Sequence, residues 1–549
     1  MKNFEIYYTS DTHGKVMPID YATGERKACG LLNIAAELQH RMIVEAGKGG
    51  DTEGAEIGKD NVVSSFERPV VCELSENEVR KESDILVMDG GDSLQGTPMI
   101  AYYLENKEEF SVHPVAEAFN AMGLDFYTLG NHDFNFGYDV IRDYTRAMDS
   151  TLLIANLEDL RGEIKYKRYV ICTLKSGLRV GITGIVTDYV NIWEQPEHLT
   201  ELKISDPLEA AAEVYKEMRD KGCDVTVCIY HGGYEEDLNT HERLSDTREN
   251  IACELARELD YDILLTGHQH MPVAGIEIKG TWSVQPPANA EQYICLNGAY
   301  EDGRLQCSSG LRFTGDETRE DIKNQIMPLE KCVAKWLDEP VGEFEEDIIP
   351  EKKLDIAIHG SKVAALFNQV QLESVEADFS CTSIGNTEIG FKKQVSIRDI
   401  YAAYPFSNTS QVKEVTAEIL KEALERCAQY LELDAEGNPY ISDVFMKPKV
   451  EHYNYDYYAG LDYAFDLRRP VGDRVVRLRM LDGTELVPGR KYRLVTSNYR
   501  ATGTGGYEMI GDSKTVFSSA DNVQDLLIDY VRKHPKLTVP VNYKFEVLY

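Results

Sequence analysis

Short apolar runs, each broken by glycine or by charged residues, set the rhythm of the first 300 positions. Runs rich in β-branched and aromatic residues fall at 4–9, 85–88, 126–129, 152–156, 179–186, 225–230 and 262–266, and each predicts a strand. Helical spacing fills the intervals, most clearly from Leu208 to Arg219. There Asp206 occupies the N-cap position, Pro207 the first helical position, and Gly222 lies just past the end. Strands alternating with helices predict a layered α/β domain. Residues 44–82 break the rhythm: they are rich in Gly, Asp and Glu, lack periodicity, and read as a surface insertion.

Helical spacing returns over 318–337 and stops before Glu339-Pro340-Val341-Gly342, which reads as a connector. The second half mixes a helix over 414–432 with Tyr- and Val-rich strands, and closes on a strand from Tyr543 to Val547. The expected organisation is a catalytic α/β domain over 1–317, a linker helix over 318–340 and a smaller α+β domain over 341–549. A chain of 549 residues calls for more than one core, since domains run to roughly 100–200 residues.

Composition narrows the function. Apolar content of 43% and charged content of 28% are those of a globular protein. A formal charge of −35 excludes a general electrostatic grip on a nucleic-acid polymer, because no surplus of Lys or Arg exists to neutralise a phosphate backbone. A small phosphorylated substrate would need bound cations to supply a local positive field. No apolar run reaches the ~18 residues of a membrane span. The N-terminus shows no basic region leading into an apolar one, and Phe4-Glu5-Ile6-Tyr7-Tyr8 reads as a strand. Eleven cysteines without framework spacing suit reduced thiols, so the expectation is a cytoplasmic protein, or a secreted or periplasmic one if a leader has been removed.

Five short motifs each follow an expected strand: Asp11-Thr12-His13, Gly90-Gly91-Asp92, Gly130-Asn131-His132-Asp133, Tyr230-His231-Gly232-Gly233 and Gly267-His268-Gln269-His270. Singly, each is ordinary turn chemistry, since Asp beside Gly is common in turns. Together they hold five of the twelve histidines. Strand ends in an α/β sheet converge on one crevice, so these side chains meet in space. Carboxylate, amide and imidazole ligands in that mixture suit Zn, Mn or Fe, and are too nitrogen-rich for Ca or Mg alone.

The ordered set D-x-H, G-G-D, G-N-H-[DE], H-G-G, G-H-x-H resembles that of the calcineurin-like metallophosphoesterases. With the later run S-N-Y-R-A-T-G-T-G-G-Y, nearly the whole chain is similar to the bacterial 5′-nucleotidase / 2′,3′-cyclic-nucleotide 2′-phosphodiesterase family. The resemblance implies a four-layer α/β/β/α catalytic sandwich followed by a substrate-binding domain. It implies two divalent metal ions, one on Asp11, His13, Asp92 and His270, the other on Asp92, Asn131, His231 and His268, with Asp92 bridging. His132 matches the family's catalytic histidine. The implied substrate is a small-molecule nucleotide, with no nucleic-acid polymer and no membrane as partner.

Two departures from the pattern bear on the substrate. The 5′-nucleotidase branch usually has an Asp three residues after the catalytic histidine; this chain has Asn135, as the cyclic phosphodiesterase branch commonly does, which leaves His132 to rely on Asp133 or to titrate lower. The 5′-nucleotidases also carry an Arg that forks the 5′-phosphate, where this chain has Ser380-Cys381-Thr382-Ser383-Ile384-Gly385-Asn386. Lys392 and Lys393 follow it. Matching to the family places the base between Phe406, of Tyr404-Pro405-Phe406-Ser407-Asn408-Thr409, and Tyr455, of the Tyr-rich 453–463 segment. Such stacking contributes ~1–3 kcal/mol per base. The expected reaction is opening of 2′,3′-cyclic nucleotides and cleavage of the resulting 3′-nucleotides. The alternatives are a 5′-nucleotidase or nucleotide-sugar hydrolase, or a non-catalytic nucleotide-binding protein.

Overall fold

Alternation along the strand Lys2–Thr9 sets the layering of the first half. Phe4, Ile6 and Tyr8 point into one buried core, while Tyr7 faces the opposite way under the guanidinium of Arg41. A computed structural model describes residues 1–47, 71–243, 248–406, 408–447, 449–534 and 536–549, and these form two units, Met1–Val333 and Ala334–Tyr549.

The first unit has two sheets. Six strands run in the order Arg304–Phe313, Gln292–Glu301, Lys2–Thr9, Ile85–Asp89, Phe126–Tyr127, Thr151–Leu152. Eight run in the order Val273–Ile278, Thr281–Gln285, Ile263–Thr266, Val225–His231, Arg179–Val186, Tyr169–Thr173, Glu78–Lys81, Val71–Ser75. Leu86, Met88 and Phe126 of the smaller sheet pack on Val180, Ile182, Val227 and Ile263 of the larger one. Ala211, Val214 and Met218 of the helix Pro207–Asp220 cover the other face of the larger sheet, at Ile171, Ile185 and Cys228. Asp206 caps that helix, accepting from the Glu209 amide at 3.0 Å. With the helix Leu31–Gly47 on the outer face of the smaller sheet, where Arg41 covers Tyr7, the first unit is a four-layer α/β/β/α sandwich.

Parallel pairing decides where the functional residues go. Lys2–Thr9 runs parallel to Ile85–Asp89, and Val225–His231 parallel to both Arg179–Val186 and Ile263–Thr266. The C-terminal strand ends of each sheet therefore line one edge.

The 44–82 stretch needs correction. Residues 48–70 lie outside the described residues. The remainder belongs to the fold: 44–47 finish the helix Leu31–Gly47, while Val71–Ser75 and Glu78–Lys81 form a hairpin that extends the larger sheet through Glu78↔Ile171. Its charged residues hid it, because an edge strand carries charge on its open side.

The second unit has a five-stranded sheet, Asp456–Ala459, Phe379–Ser383, Tyr492–Ser497, Thr409–Val415, Lys514–Asn522, and a three-stranded one, Val475–Met480, Leu461–Asp466, Lys544–Leu548. The helix expected over 414–432 is shorter, Ala417–Ala428. Residues up to Val415 are held by the ladder to Tyr492–Ser497, and Thr416 then caps the helix. Gly505, at φ 85°, brings the backbone against Asn454 and Arg500, where a Cβ would meet Asn454 Oδ1 at 2.3 Å. The glycine run that follows Arg500 thus serves close packing. The buried Arg500 forks Asp456 at 2.7 and 3.0 Å and lies over the Tyr507 ring. No helix among the described residues is long and apolar enough to cross a membrane, and the described cysteines are all free.

One lysine in each unit makes its packing testable. Lys81 on the larger sheet pairs with Asp125, which leads into Phe126–Tyr127 of the smaller one; both side chains are 2% exposed. Lys81→Met strands that carboxylate, and urea unfolding should show a loss of about 3–5 kcal/mol. In the second unit, burial pulls the Lys353 ammonium down to about 8, against the opposing charge of Glu388. Between pH 8 and its ordinary 10.5 the unfolded chain binds more protons at this lysine than the folded one. Wild type should therefore gain stability relative to Lys353→Met as pH rises through that window, and a constant difference would contradict the assignment.

Candidate active site

The motif residues enter from both sheets. Asp11, Asp92 and Asn131 follow the ends of Lys2–Thr9, Ile85–Asp89 and Phe126–Tyr127, while His231 ends its own strand and His268 and His270 follow Ile263–Thr266. The structure brings all seven ligand candidates together. Ligand atoms of Asp11, His13 and His270 lie within 4.8 Å of one another, as do those of Asp92, His231 and His268. Asn131 Oδ1 joins the second group, 3.1 Å from His231 Nε2 and 2.9 Å from His268 Nδ1.

Turning these side chains inward costs backbone strain. Asp11, His13, Asp92, His268 and His270 hold φ between 50° and 69°, the left-handed region that L residues avoid. Each such residue costs on the order of 1–3 kcal/mol. Hydrogen bonds between the loops fix the arrangement: the Asp11 amide donates to Gly91 O at 2.9 Å, the His13 amide to Asp92 O at 2.8 Å, and the His268 amide to the Asp11 carboxylate at 3.0 Å.

Acceptors around the site settle the imidazole tautomers. His13 Nδ1 lies 3.0 Å from Gln95 O, and His231 Nδ1 lies 2.6 Å from Gly90 O. A carbonyl can only accept, so both Nδ1 atoms carry hydrogen and both Nε2 atoms present lone pairs. His268 is turned the other way, its Nε2 donating to Glu249 Oε1 at 2.9 Å and its Nδ1 facing Asn131 Oδ1. Nitrogens and carboxylates are thus crowded together: His13 Nε2 stands 3.0 Å from His270 Nε2, and His231 Nε2 stands 3.3 Å from Asp92 Oδ2. Nitrogens and carboxylate oxygens so arranged are a donor set that fits a divalent metal ion. Asp92 creates a demand for positive charge at His231: burial opposes a proton there, yet the carboxylate outweighs it and holds the imidazole up to about 10, so the Nε2 lone pair is free only when a metal cation takes that proton's place. Burial and His270 press His13 down to about 4.

Asp133 fastens the loops and does not serve His132. Its carboxylate accepts from four backbone amides, those of Asp92, Ser93, Leu94 and Gly130, at 2.8–2.9 Å. His132 turns instead to Asn135, with Nδ1 2.8 Å from Asn135 Oδ1 and its own amide donating to Asp92 Oδ1 at 2.7 Å. Its ring stands edge-on to His13 at 5.6 Å. Sequence reasoning missed Glu249 and Trp193, which lies parallel to His268 at 5.3 Å and 17°. Neither sits in a glycine-marked motif, so no signal in the sequence pointed to them.

In the second unit, Tyr455 is not available for stacking. It is 2% exposed, its hydroxyl donates to Ala357 O at 3.1 Å, and its ring packs on Tyr430 and Tyr457 at 4.7 and 5.0 Å. Tyr455, Tyr457, Tyr458 and Tyr463 are buried core, as alternating aromatics usually are, while Tyr453 is partly exposed. Phe406 is half-buried and stands edge-on to Tyr404; Ser407 lies outside the described residues. A partly exposed aromatic at the same sheet end is Tyr499, because Ser410 pairs with Ser497 and the Thr409 amide donates to Asn498 Oδ1 at 3.1 Å. Lys393 pairs with Glu343 at 3.3 Å. The lysine beside the Ser380–Asn386 stretch is Lys353, donating to Ile384 O at 3.4 Å.

Gly130 tests the construction of the metal-binding loops. An added Cβ there would fall 2.2 Å from Asp92 Oδ1 and 2.5 Å from His231 Cε1. Gly130→Ala should lose most of its bound metal in elemental analysis after reconstitution, and full metal content would show that the loops can yield.

Comparison with known proteins agrees with this geometry. Residues 5–272 match the calcineurin-like phosphoesterase family, and residues 340–512 the 5′-nucleotidase C-terminal domain. A 2′,3′-cyclic-nucleotide 2′-phosphodiesterase/3′-nucleotidase of Haemophilus influenzae is 24% identical over 81% of this chain and 77% of its own length. The trifunctional nucleotide phosphoesterase YfkN of Bacillus subtilis is 24% identical over 86% of this chain, which spans 36% of that relative's length. A candidate 5′-nucleotidase from Staphylococcus aureus, solved in complex with alpha-ketoglutarate, has a TM-score of 0.82 and 28% identity over 100% of both chains. With its two-domain match and its paired metal-ligand groups, this chain belongs to the calcineurin-like metallophosphoesterases that carry a 5′-nucleotidase C-terminal domain.

Proposed function

We propose that the protein opens 2′,3′-cyclic nucleotides and cleaves the resulting 3′-nucleotides. The observation that carries this reading is the His132–Asn135 pair beside the two ligand groups. Asp11, His13, Asp92 and His270 would hold one divalent ion, and Asp92, Asn131, His231 and His268 the other. Two such ions supply an activated water and neutralise the phosphoryl oxygens. The chain's own residues do the rest. Asn135 accepts the hydrogen on His132 Nδ1, so that His132, when it carries a second proton, donates from Nε2 to a substrate oxygen as charge builds on it and gives that proton to the departing alkoxide. Asp133 holds the loops of Asp92 and Asn131 at a constant separation through its four backbone amides. Phe406 and Tyr499 offer the base its stacking partners, Tyr499 replacing the buried Tyr455.

The Haemophilus influenzae relative carries this activity in its name, and the Ser380–Asn386 stretch lacks the arginine that a 5′-phosphate would engage. The competing reading, a 5′-nucleotidase, is favoured by Lys353 beside Ile384 and by the Staphylococcus aureus likeness. Phosphate release from 2′,3′-cAMP, 3′-AMP and 5′-AMP separates the two, and turnover of 5′-AMP alone would reverse the order. His132→Asn should lower kcat by about 10²–10⁴-fold with metal content unchanged, measured by elemental analysis on the same sample. Unaltered turnover would remove His132 from the chemistry.

A further inference from the structure

The segment between the strands Arg179–Val186 and Leu202–Ile204 carries no motif, yet it reaches the site twice. Trp193 lies flat against His268. The next residue, Glu194, turns its side chain inward, 5% exposed. Glu194 Oε2 accepts from Asn135 Nδ2 at 2.7 Å, and Glu194 Oε1 lies 2.8 Å from both His198 Nδ1 and its neighbour's amide at Gln195. A line of hydrogen bonds thus runs from His132 through Asn135 to a buried carboxylate.

The order of donors along that line is forced. A carboxylate accepts only, so the end of the Asn135 amide that faces Glu194 must be its NH₂. The carbonyl end then faces His132, and His132 Nδ1 must be the nitrogen that carries hydrogen. Without the carboxylate, nothing in the pair itself decides which way the amide points. A flipped amide would donate to His132 Nδ1 and move the imidazole hydrogen to Nε2, so the nitrogen offered to substrate would change character. The same geometry explains why an aspartate does not fit at position 135: its outer oxygen would face Glu194 at the distance now bridged by a hydrogen bond.

We propose that Glu194 is a positioning residue, which acts through Asn135 to set the tautomer and orientation of His132. It supplies from the neighbouring segment the negative charge that a directly bonded aspartate would supply. This rests on the reading of His132 as the group that meets the substrate.

The test is a swap. Wild type, His132→Ala, Glu194→Ala, Asn135→Asp and the double variant Asn135→Asp/Glu194→Gln are compared on 2′,3′-cAMP and on bis(p-nitrophenyl) phosphate, with metal content and melting temperature recorded for each. Glu194→Ala should lower kcat by at least about 10-fold with KM and metal content within about twofold of wild type. Asn135→Asp alone should lose activity comparably, since two carboxylates then face each other. The double variant should recover most of it. Its glutamine amide can donate to the new carboxylate at position 135, and that carboxylate still accepts from His132 Nδ1. Unchanged kcat in Glu194→Ala, or a double variant no better than Asn135→Asp, overturns the proposal; if Glu194→Ala fails to fold, the second comparison decides alone. Full activity in His132→Ala would instead overturn the underlying reading of His132.

Discussion

Acceptor atoms held close together repel one another unless a cation lies between them, and the first unit is organised around enforcing that crowding. Backbone carbonyls at Gln95 and Gly90 and the carboxylate of Glu249 each take the hydrogen of one imidazole, so that its other nitrogen faces inward as a bare lone pair. Five ligand candidates adopt left-handed backbone to reach their places. That strain persists because neighbouring loops over-determine it: the four amides gathered by Asp133 bind the Asp92 loop to the Asn131 loop before any metal is considered. Metal binding would then recover free energy that folding alone leaves unspent.

The layering below the site serves the same end. Two sheets packed face to face bring parallel strand ends to one edge, and the buried Lys81–Asp125 pair ties the hairpin at the rim of one sheet to the other. A rigid base of this kind matters, since ligands displaced by a fraction of an ångström lose coordination and second contacts together.

Around this centre, the residues that prepare the imidazoles for their task come from segments with no recognisable pattern. Trp193 and Glu194 precede a single 3₁₀ turn, and Glu249 lies in the loop before the helix Ala252–Glu258. Glu249 and Glu194 each fix the direction of a ring or amide that has two nearly equal orientations, a choice that local sequence cannot make, while Trp193 covers the face of one of those rings.

Much of the centre was legible in the chain. The strand runs and the capped helix at Pro207–Asp220 could be read from residue order, five glycine-flanked motifs after apolar runs pointed to a metal centre, and their resemblance to the metallophosphoesterases named the seven ligand candidates. What the sequence could not hold was anything depending on which residues become neighbours. The hairpin Val71–Lys81 looked like an insertion because Glu73, Glu76 and Arg80 lie exposed along a sheet edge that exists only once the strands pair. Tyr455 and Tyr499 are both tyrosines near a turn, and only β register shows that the first is sealed against Tyr430 while the second stands at the end of the sheet with Phe406. Asn135 announced a departure by itself, but the carboxylate behind it, 59 positions away, came into view only through tertiary packing. Local patterns fix residue type and secondary structure; long-range contacts fix hydrogen-bond direction and exposure, and these decide chemistry.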